Sequence, residues 1–375
     1  KNATTGSTNW MLFDVMRGMP DVSGATARAI YGNTNAAETS NNAVCPSATG
    51  FTPRASGSYT NTSGDTFIYM AIRRPHKPPE SATEVFAMDI NTQGEPEYVS
   101  NFVVDWAFHR NVPYGDDWVA STRLLGPSYL VMQSTAAESS SSGSVFDFND
   151  GWGDNLANNT NYRSWMFRRA PGFFDVVAYT GTGSQRTINH NLDAVPEMMI
   201  IRERSTGDNW AVFHETTGTA AWTILNSDGA KLDDSSGLVW NNTAPTASVF
   251  SVGTGNVVNQ SGDNFVAFLF ATLSGISKVG SYSGTGSNVD VDCGFTAGAR
   301  FILIKRGDAA GDWYVYDSDR GIVSGNDPYL VINEQDAEVT NTDYIDPLNA
   351  GFTVTSSAPA GLNASGGNYI FLAIA

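Results

Sequence analysis

The feature that most constrains this chain is a set of short motifs that recurs in a fixed order. The last hundred residues carry the fullest version. It opens with Tyr282-Ser-Gly-Thr-Gly286 and continues with Phe301-Ile-Leu-Ile-Lys-Arg306 and Asp312-Trp-Tyr-Val-Tyr-Asp-Ser-Asp-Arg-Gly321. Tyr329-Leu-Val-Ile-Asn333, Asp336-Ala-Glu338, Gly351-Phe-Thr-Val354 and a closing run from Asn363 to Ala375 follow. One block upstream, Tyr179-Thr-Gly-Thr-Gly183, Met199-Ile-Ile-Arg-Glu-Arg204, Asp208-Asn-Trp-Ala-Val-Phe-His214, Thr223-Ile-Leu-Asn226 and Asn259 to Phe270 repeat that order. A divergent copy precedes it, with Val103 to Phe108, Asp117-Trp118, Tyr129-Leu-Val-Met132, Thr135-Ala-Ala-Glu138 and Tyr162 to Phe167. The N-terminus holds only the second part: Asn9-Trp-Met-Leu-Phe-Asp-Val-Met-Arg-Gly18, Ala36-Ala-Glu38 and Asn61 to Ile72. Its opening strands are missing. They are expected either ahead of Lys1 in a longer polypeptide or from elsewhere in an assembly.

The units predicted from this order are a partial module over 1–72, a divergent one over 80–170, and two complete ones over 173–271 and 276–375. Short apolar runs separated by Gly, Asn, Ser and Thr clusters predict an all-β chain. Helix is expected only as short turns, near Ala25 to Ile30 and in the Ala-Ala-Glu segments. Thr66 to Ile72 is predicted to be a strand buried on both faces, because its apolar run is continuous. In the strand from Trp313, alternation puts Trp313 and Val315 on one face and Tyr314 and Tyr316 on the other. Both faces are apolar, so that strand is expected to be covered on each side.

Charge excludes some functions. The net charge is −17, which argues against nucleic acid, since Lys and Arg supply most of such affinity. It also argues against insertion into or adhesion to an anionic membrane, and no apolar run reaches bilayer length. Cys45 and Cys293 fall in different modules, and Cys293 ends an alternating run, as an isolated core thiol would. Arg73-Arg-Pro-His-Lys-Pro-Pro79 reads as an extended connector. As the densest positive patch, it is also a candidate docking strap for an acidic partner.

No catalytic constellation stands out. The four histidines lack metal-ligand spacing, and the Gly-Thr-Gly turns lie between strands, not before a helix with a lysine. In the divergent module, Trp118 and Trp152 beside Asp150 and Asp154 are candidates for glycan binding, the indoles stacking on sugar rings. The competing reading, which the pattern favours, places these indoles in a core. Asp150 and Asp154, within Phe148 to Asn155, are also the candidate Ca²⁺ ligands. No other cofactor is indicated. The recurring Trp-x-x-(Phe/Tyr)-Asp-x-x-Arg-Gly pattern, with Trp10, Asp14, Arg17 and Trp313, Asp317, Arg320, is read as structural pairing at a strand end.

Taken together, these motifs resemble a repeated module of tailed-phage virion proteins, especially those of marine phages. Ser164 to Tyr179 and Asn191 to Glu203 are similar to the same group. The resemblance implies tandem antiparallel β-sandwiches of jelly-roll or concanavalin-like type in a virion structural protein, and it transfers no catalytic or binding residue. The expectation is a non-enzymatic tail fibre or appendage on the extracellular particle, recognising a host-surface glycan. Its partners are expected to be other virion proteins and further copies of itself, a trimer being one form. The alternatives are a capsid decoration protein and a glycan depolymerase.

Overall fold

The computed structural model describes residues 1–5, 8–19, 27–41, 43–47, 50–54, 59–74, 76–92, 94–140, 143–154 and 159–375. The chain is an all-β protein of antiparallel sandwiches. Three large sheets share one strand order. The third runs Ser277–Ser283, Asn368–Ile374, Phe301–Arg306, Trp313–Asp317, Leu330–Val331. The second runs Phe174–Thr180, Asn264–Phe270, Met198–Glu203, Trp210–His214, Ala221–Ile224, Leu232–Asp233. The first runs Phe86–Ile90, Tyr162–Phe167, Trp106–Asn111, Val119–Thr122, Ser128–Val131, Ser139–Ser140.

Each large sheet uses both faces. One face meets a small sheet, which in the third unit is Val289–Asp292, Gly351–Val354 and Ile345–Leu348. Ile302, Ile304, Tyr314 and Tyr316 fill the space between. The opposite face meets the other two large sheets. Phe301, Leu303, Trp313 and Val315 enter a shared core with Val266, Phe268 and Trp210 of the second sheet and Trp106, Phe108 and Trp165 of the first. The period-two split of the strand from Trp313 is as its alternation predicts. The pattern alone leaves open that one of its two covers is another unit.

Consecutive sheets are joined by matching tight turns. Phe174 N–H donates to Ala170 O and Ser277 N–H to Leu273 O, at 3.2 and 2.9 Å. Gly172 and Gly275 take φ of +74° and +72° there, which glycine adopts without strain. A second recurring device sits in the short helices Asn256–Asn259 and Ala360–Asn363. Asn363 Nδ2 donates to Ser287 O and Thr355 O, while its Oδ1 accepts from Thr285 N–H. Asn259 makes the same three bonds with Ser184 O, Gly253 O and Thr182 N–H. This asparagine is what the Gly-Thr-Gly turns fold around, filling backbone groups that a loop would otherwise leave unpaired.

Three expectations are corrected. Ala27–Tyr31 is a strand, not a helical turn: it pairs with Met11–Phe13 and Thr39–Asn41. Ala27 and Ala29 are buried and Arg28 is exposed, a period of two. Ala25 lies outside the described residues. The Ala-Ala-Glu segments, Asp336-Ala-Glu338 included, are likewise not helical. Finally, Thr66 to Ile72 is neither in a strand nor buried. Only Phe67 bridges, to Asn2, and Ile68, Tyr69, Met70 and Ile72 are exposed.

The connector is docked onto its own chain. Arg74 pairs with buried Asp105 at 2.5 Å, and His76 Nε2 lies 2.6 Å from Asn191 O. Those bonds tie the segment to the first and second units. Pro75 lies outside the described residues.

Candidate functional site

The most elaborated polar arrangement in the molecule lies where the three large sheets meet. The strand beginning at each Asp/Asn-Trp pair starts under the same clamp. Trp313 N–H donates to Asn333 Oδ1, Trp210 N–H to Asn226 Oδ1 and Trp118 N–H to Gln133 Oε1, at 2.8, 2.9 and 3.0 Å. The clamp fixes each indole so that it points off the sheet into its neighbour.

The indole bonds then close a cycle. Trp118 Nε1 donates to Val331 O of the third unit, at 2.8 Å. Trp313 Nε1 donates to Ile224 O of the second, at 2.9 Å, and Trp210 Nε1 to Val131 O of the first, at 3.2 Å. A cation beside each tryptophan repeats the cycle. Arg110 donates to Gln335 O and Asp336 O, at 3.0 and 2.7 Å. Lys305 Nζ donates to Asp228 O and Gly229 O, at 3.1 and 2.8 Å, and Arg202 donates to Ala136 O. Backbone bonds run between the same pairs of units: Glu338 N–H to Val112 O, Glu138 N–H to Arg204 O and Lys231 N–H to Gly307 O. Two of the Ala-Glu segments are thus handles gripped by a neighbouring sheet. Burial drives the Arg110 and Arg202 guanidinium groups down to about 10 and the Lys305 amine to about 8.

Replacing each of these three tryptophans by phenylalanine tests the cycle. Each change removes one buried N–H donor and keeps a ring, so a loss of about 1–2 kcal/mol is expected at each. Equal losses in denaturant melts would support equivalence, and a null effect at any one would break it.

The indoles singled out from the sequence are placed by this packing. Trp118 is fully buried within the cycle. Trp152 is fully buried between Tyr98 and Phe146, with ring centroids at 5.5 and 5.3 Å, and donates to Ser164 Oγ at 2.9 Å. Neither presents a face on which a sugar could stack. Asp150 turns its carbonyl to Ser100 N–H and Asn101 N–H. Asp154 turns inward, accepting from Ser144 Oγ at 2.8 Å and lying 3.4 Å from His109 Nε2. Among the described residues no group of three His, Cys, Asp or Glu is placed to hold a metal; Asn155 lies outside them.

Asp317 binds Arg320 Nε at 2.7 Å, the Arg320 N–H at 2.9 Å and Trp165 Nε1 of the first sheet at 3.1 Å. Asp14 and Arg17 pair at 2.6 Å. His214, which stands where Asp317 stands, is buried and driven down to about 4 by desolvation. What the sequence reading missed is the cation at the end of the neighbouring strand. Its signal was the recurrence of Arg202 and Lys305 in the Ile-Ile-Arg and Leu-Ile-Lys runs.

The His109–Asp154 pair has an acid–base look, but it is enclosed, with side chains 2% and 9% exposed. Burial pushes the Asp154 carboxyl up to about 6 and the His109 imidazole down to about 4. The signs oppose. A histidine with a lowered folded pKa loses stability as pH falls through the range between its unfolded and folded values. A carboxyl with a raised folded pKa gains stability over its own range as pH falls. Asp154→Asn removes only the gain. Between pH 7 and 4.5 it is expected to lose about 2 kcal/mol more than wild type. Parallel pH–stability curves would show that burial does not raise the Asp154 carboxyl.

Among the described residues no helix is long and apolar enough to cross a membrane. No curated protein matches the chain. Residues 1–75 and 164–375 match the model of a domain of unknown function, DUF7483. The uncovered stretch between them holds most of the first large sheet, the divergent copy in the sequence. Since the match spans well over half of the chain, this protein belongs to the DUF7483 family.

Proposed function

We propose that the chain is a non-enzymatic structural protein of a tailed-phage virion, carried on a fibre or appendage that meets the host surface. The observation that carries this reading is the closed cycle of Trp118, Trp313 and Trp210 bonds, which locks three sandwiches into one body. The side chains that in an enzyme would do chemistry are committed to that body. His109 and His214 are buried, His190 bonds Thr246 O at 3.0 Å, and Asp317 and Asp105 bind arginines. A net charge of −17 keeps such a body dispersed in a salty medium, where repulsion is screened over roughly 10 Å. The resemblance of the ordered motifs to phage virion modules supplies the particle. Weak glycan contacts on several such bodies would add through effective concentration.

Labelling intact virions with an antibody to this chain, imaged by cryo-electron microscopy, tests the assignment. Label on fibres or at the tail tip supports it and directs a glycan-array screen of the purified chain. Label spread over the head overturns it in favour of capsid decoration. Release of reducing ends from host polysaccharide would overturn the non-enzymatic reading.

A further inference from the structure

The sequence holds two Asp–Pro bonds, Asp327–Pro328 and Asp346–Pro347. An aspartyl–prolyl bond is open to attack by its own side chain. The carboxyl can close onto the carbonyl carbon of the same residue as a five-membered ring. The proline nitrogen, a tertiary amide with no N–H, then leaves as a secondary amine. The fold treats these two bonds differently.

Asp327–Pro328 follows the exposed stretch Val323 to Asn326 and precedes the strand Leu330–Val331. Here the chain turns inward, and both Asp327 and Pro328 are buried. Thr342 grips the aspartate from both sides. Asp327 N–H donates to Thr342 O at 2.8 Å, and Thr342 Oγ1 donates to Asp327 O at 2.7 Å. A hydroxyl on that oxygen polarises the carbonyl and stabilises negative charge that develops there. The N–H groups of Tyr344 and Ile345 hold the carboxyl, at 3.0 and 2.9 Å. Asp343 and Asp346 lie beside it, each with a buried Oδ1 that has no partner among the described residues. Tyr316, on the strand Trp313–Asp317, is the other titratable group near it and stays neutral through the physiological range. Burial pushes the Asp327 carboxyl up to about 7 against the pull of its two N–H donors, and the two aspartates add to the rise. Such a carboxyl keeps its proton where an exposed one has lost it.

We propose that the chain cuts itself once, between Asp327 and Pro328. An Asp327 carboxyl oxygen attacks the Asp327 carbonyl carbon, and the carbonyl electron pair moves onto the oxygen bonded by Thr342 Oγ1. Collapse breaks the bond to Pro328. The proton released by the carboxyl goes to the Pro328 nitrogen. One water, entering from the exposed loop, opens the cyclic anhydride left on Asp327 into two carboxyls. The sum is one water added and one peptide bond broken, with no other reactant. Asp346–Pro347 is the internal contrast: it lies within the strand Ile345–Leu348, paired to Gly351–Val354. Both pieces stay in the body, since residues 328–375 supply Asn368–Ile374, which pairs with a strand on each side. The cut leaves the fold standing but breaks the single chain through which it formed, as a one-way maturation step does. It happens once per chain and is independent of the reading given above.

The 375-residue chain, incubated at about pH 6 and followed by denaturing gel and intact mass, tests this. Two pieces are expected, 1–327 and 328–375, together heavier than the intact chain by one water. The rate is expected to be independent of protein concentration. It should fall about tenfold per pH unit above 7, as the protonated fraction does. Thr342→Val is expected to slow the cut about a hundredfold, as loss of an oxyanion donor does. Asp327→Asn is expected to abolish it, with a thermal melt to show that each variant folds. Urea is the control that needs no variant: unfolding returns the carboxyl to its ordinary range, and cutting at about pH 6 is expected to stop. A wild-type chain that stays intact overturns the proposal. So does cutting that continues in urea, that runs as fast at Asp346–Pro347, or that survives Asp327→Asn.

Discussion

Trp106→Ala is expected to lower stability by about 3–5 kcal/mol, the cost of emptying an indole-sized site that cannot collapse. Trp106 lies at the seam between two units. Its ring centroid is 4.6 Å from Phe167 and 5.0 Å from Phe108 of its own sheet. It is also 4.6 Å from Phe268 and 5.6 Å from Phe174 of the second sheet. A small apolar cavity already exists here, lined by Trp106, Phe167, Phe270, Phe301 and Leu372 among others. Removing the indole enlarges a space walled by all three sheets, and none can move inward without breaking its own sandwich. The loss is expected as one cooperative shift of a denaturant melt. Two separated transitions would show instead that the sandwiches fold independently and that the shared core contributes little.

Asp317→Ala is expected to cost about 2–3 kcal/mol, because it removes a buried carboxylate that accepts from both Arg320 and Trp165 and leaves those donors unpaired. Arg320 is 3% exposed and keeps Glu338 at 3.1 Å and Val315 O at 2.9 Å. It loses the carboxylate that also holds Trp165 of the first sheet, so the break crosses a boundary between units. The double change Asp317→Ala, Arg320→Met is expected to recover much of the loss, since the charge then goes as well. The same change at Asp14 gives the contrast. Arg17 and Asp14 are 29% and 45% exposed, and a solvated pair contributes about 1 kcal/mol or less. Chemical denaturation of Asp317→Ala and Asp14→Ala side by side is the check. Equal costs would sink the argument from burial.

By itself the sequence determined much of the local structure, though not the strand Ala27–Tyr31. Apolar residues at period two fixed which side of a strand Trp313 and Tyr314 take, since successive side chains must point to opposite faces. Cys293 is buried, its thiol pushed up to about 12 by desolvation, as its place in an alternating run required. Gly172 and Gly275 stand just ahead of the units predicted to begin at 173 and 276, at turns whose positive φ few other residues tolerate.

Only the tertiary structure decided what covers each face. A strand that is apolar on both sides requires two covers, but burial is non-directional and names neither. The sequence therefore left open whether Trp118 meets a sugar or enters a core, and packing placed it against Val331 of the third sheet. The same limit explains Thr66 to Ile72. Its composition matches Asn368–Ile374, which is buried between two strands. Its burial depends on strands that only a fold or an assembly can bring to it.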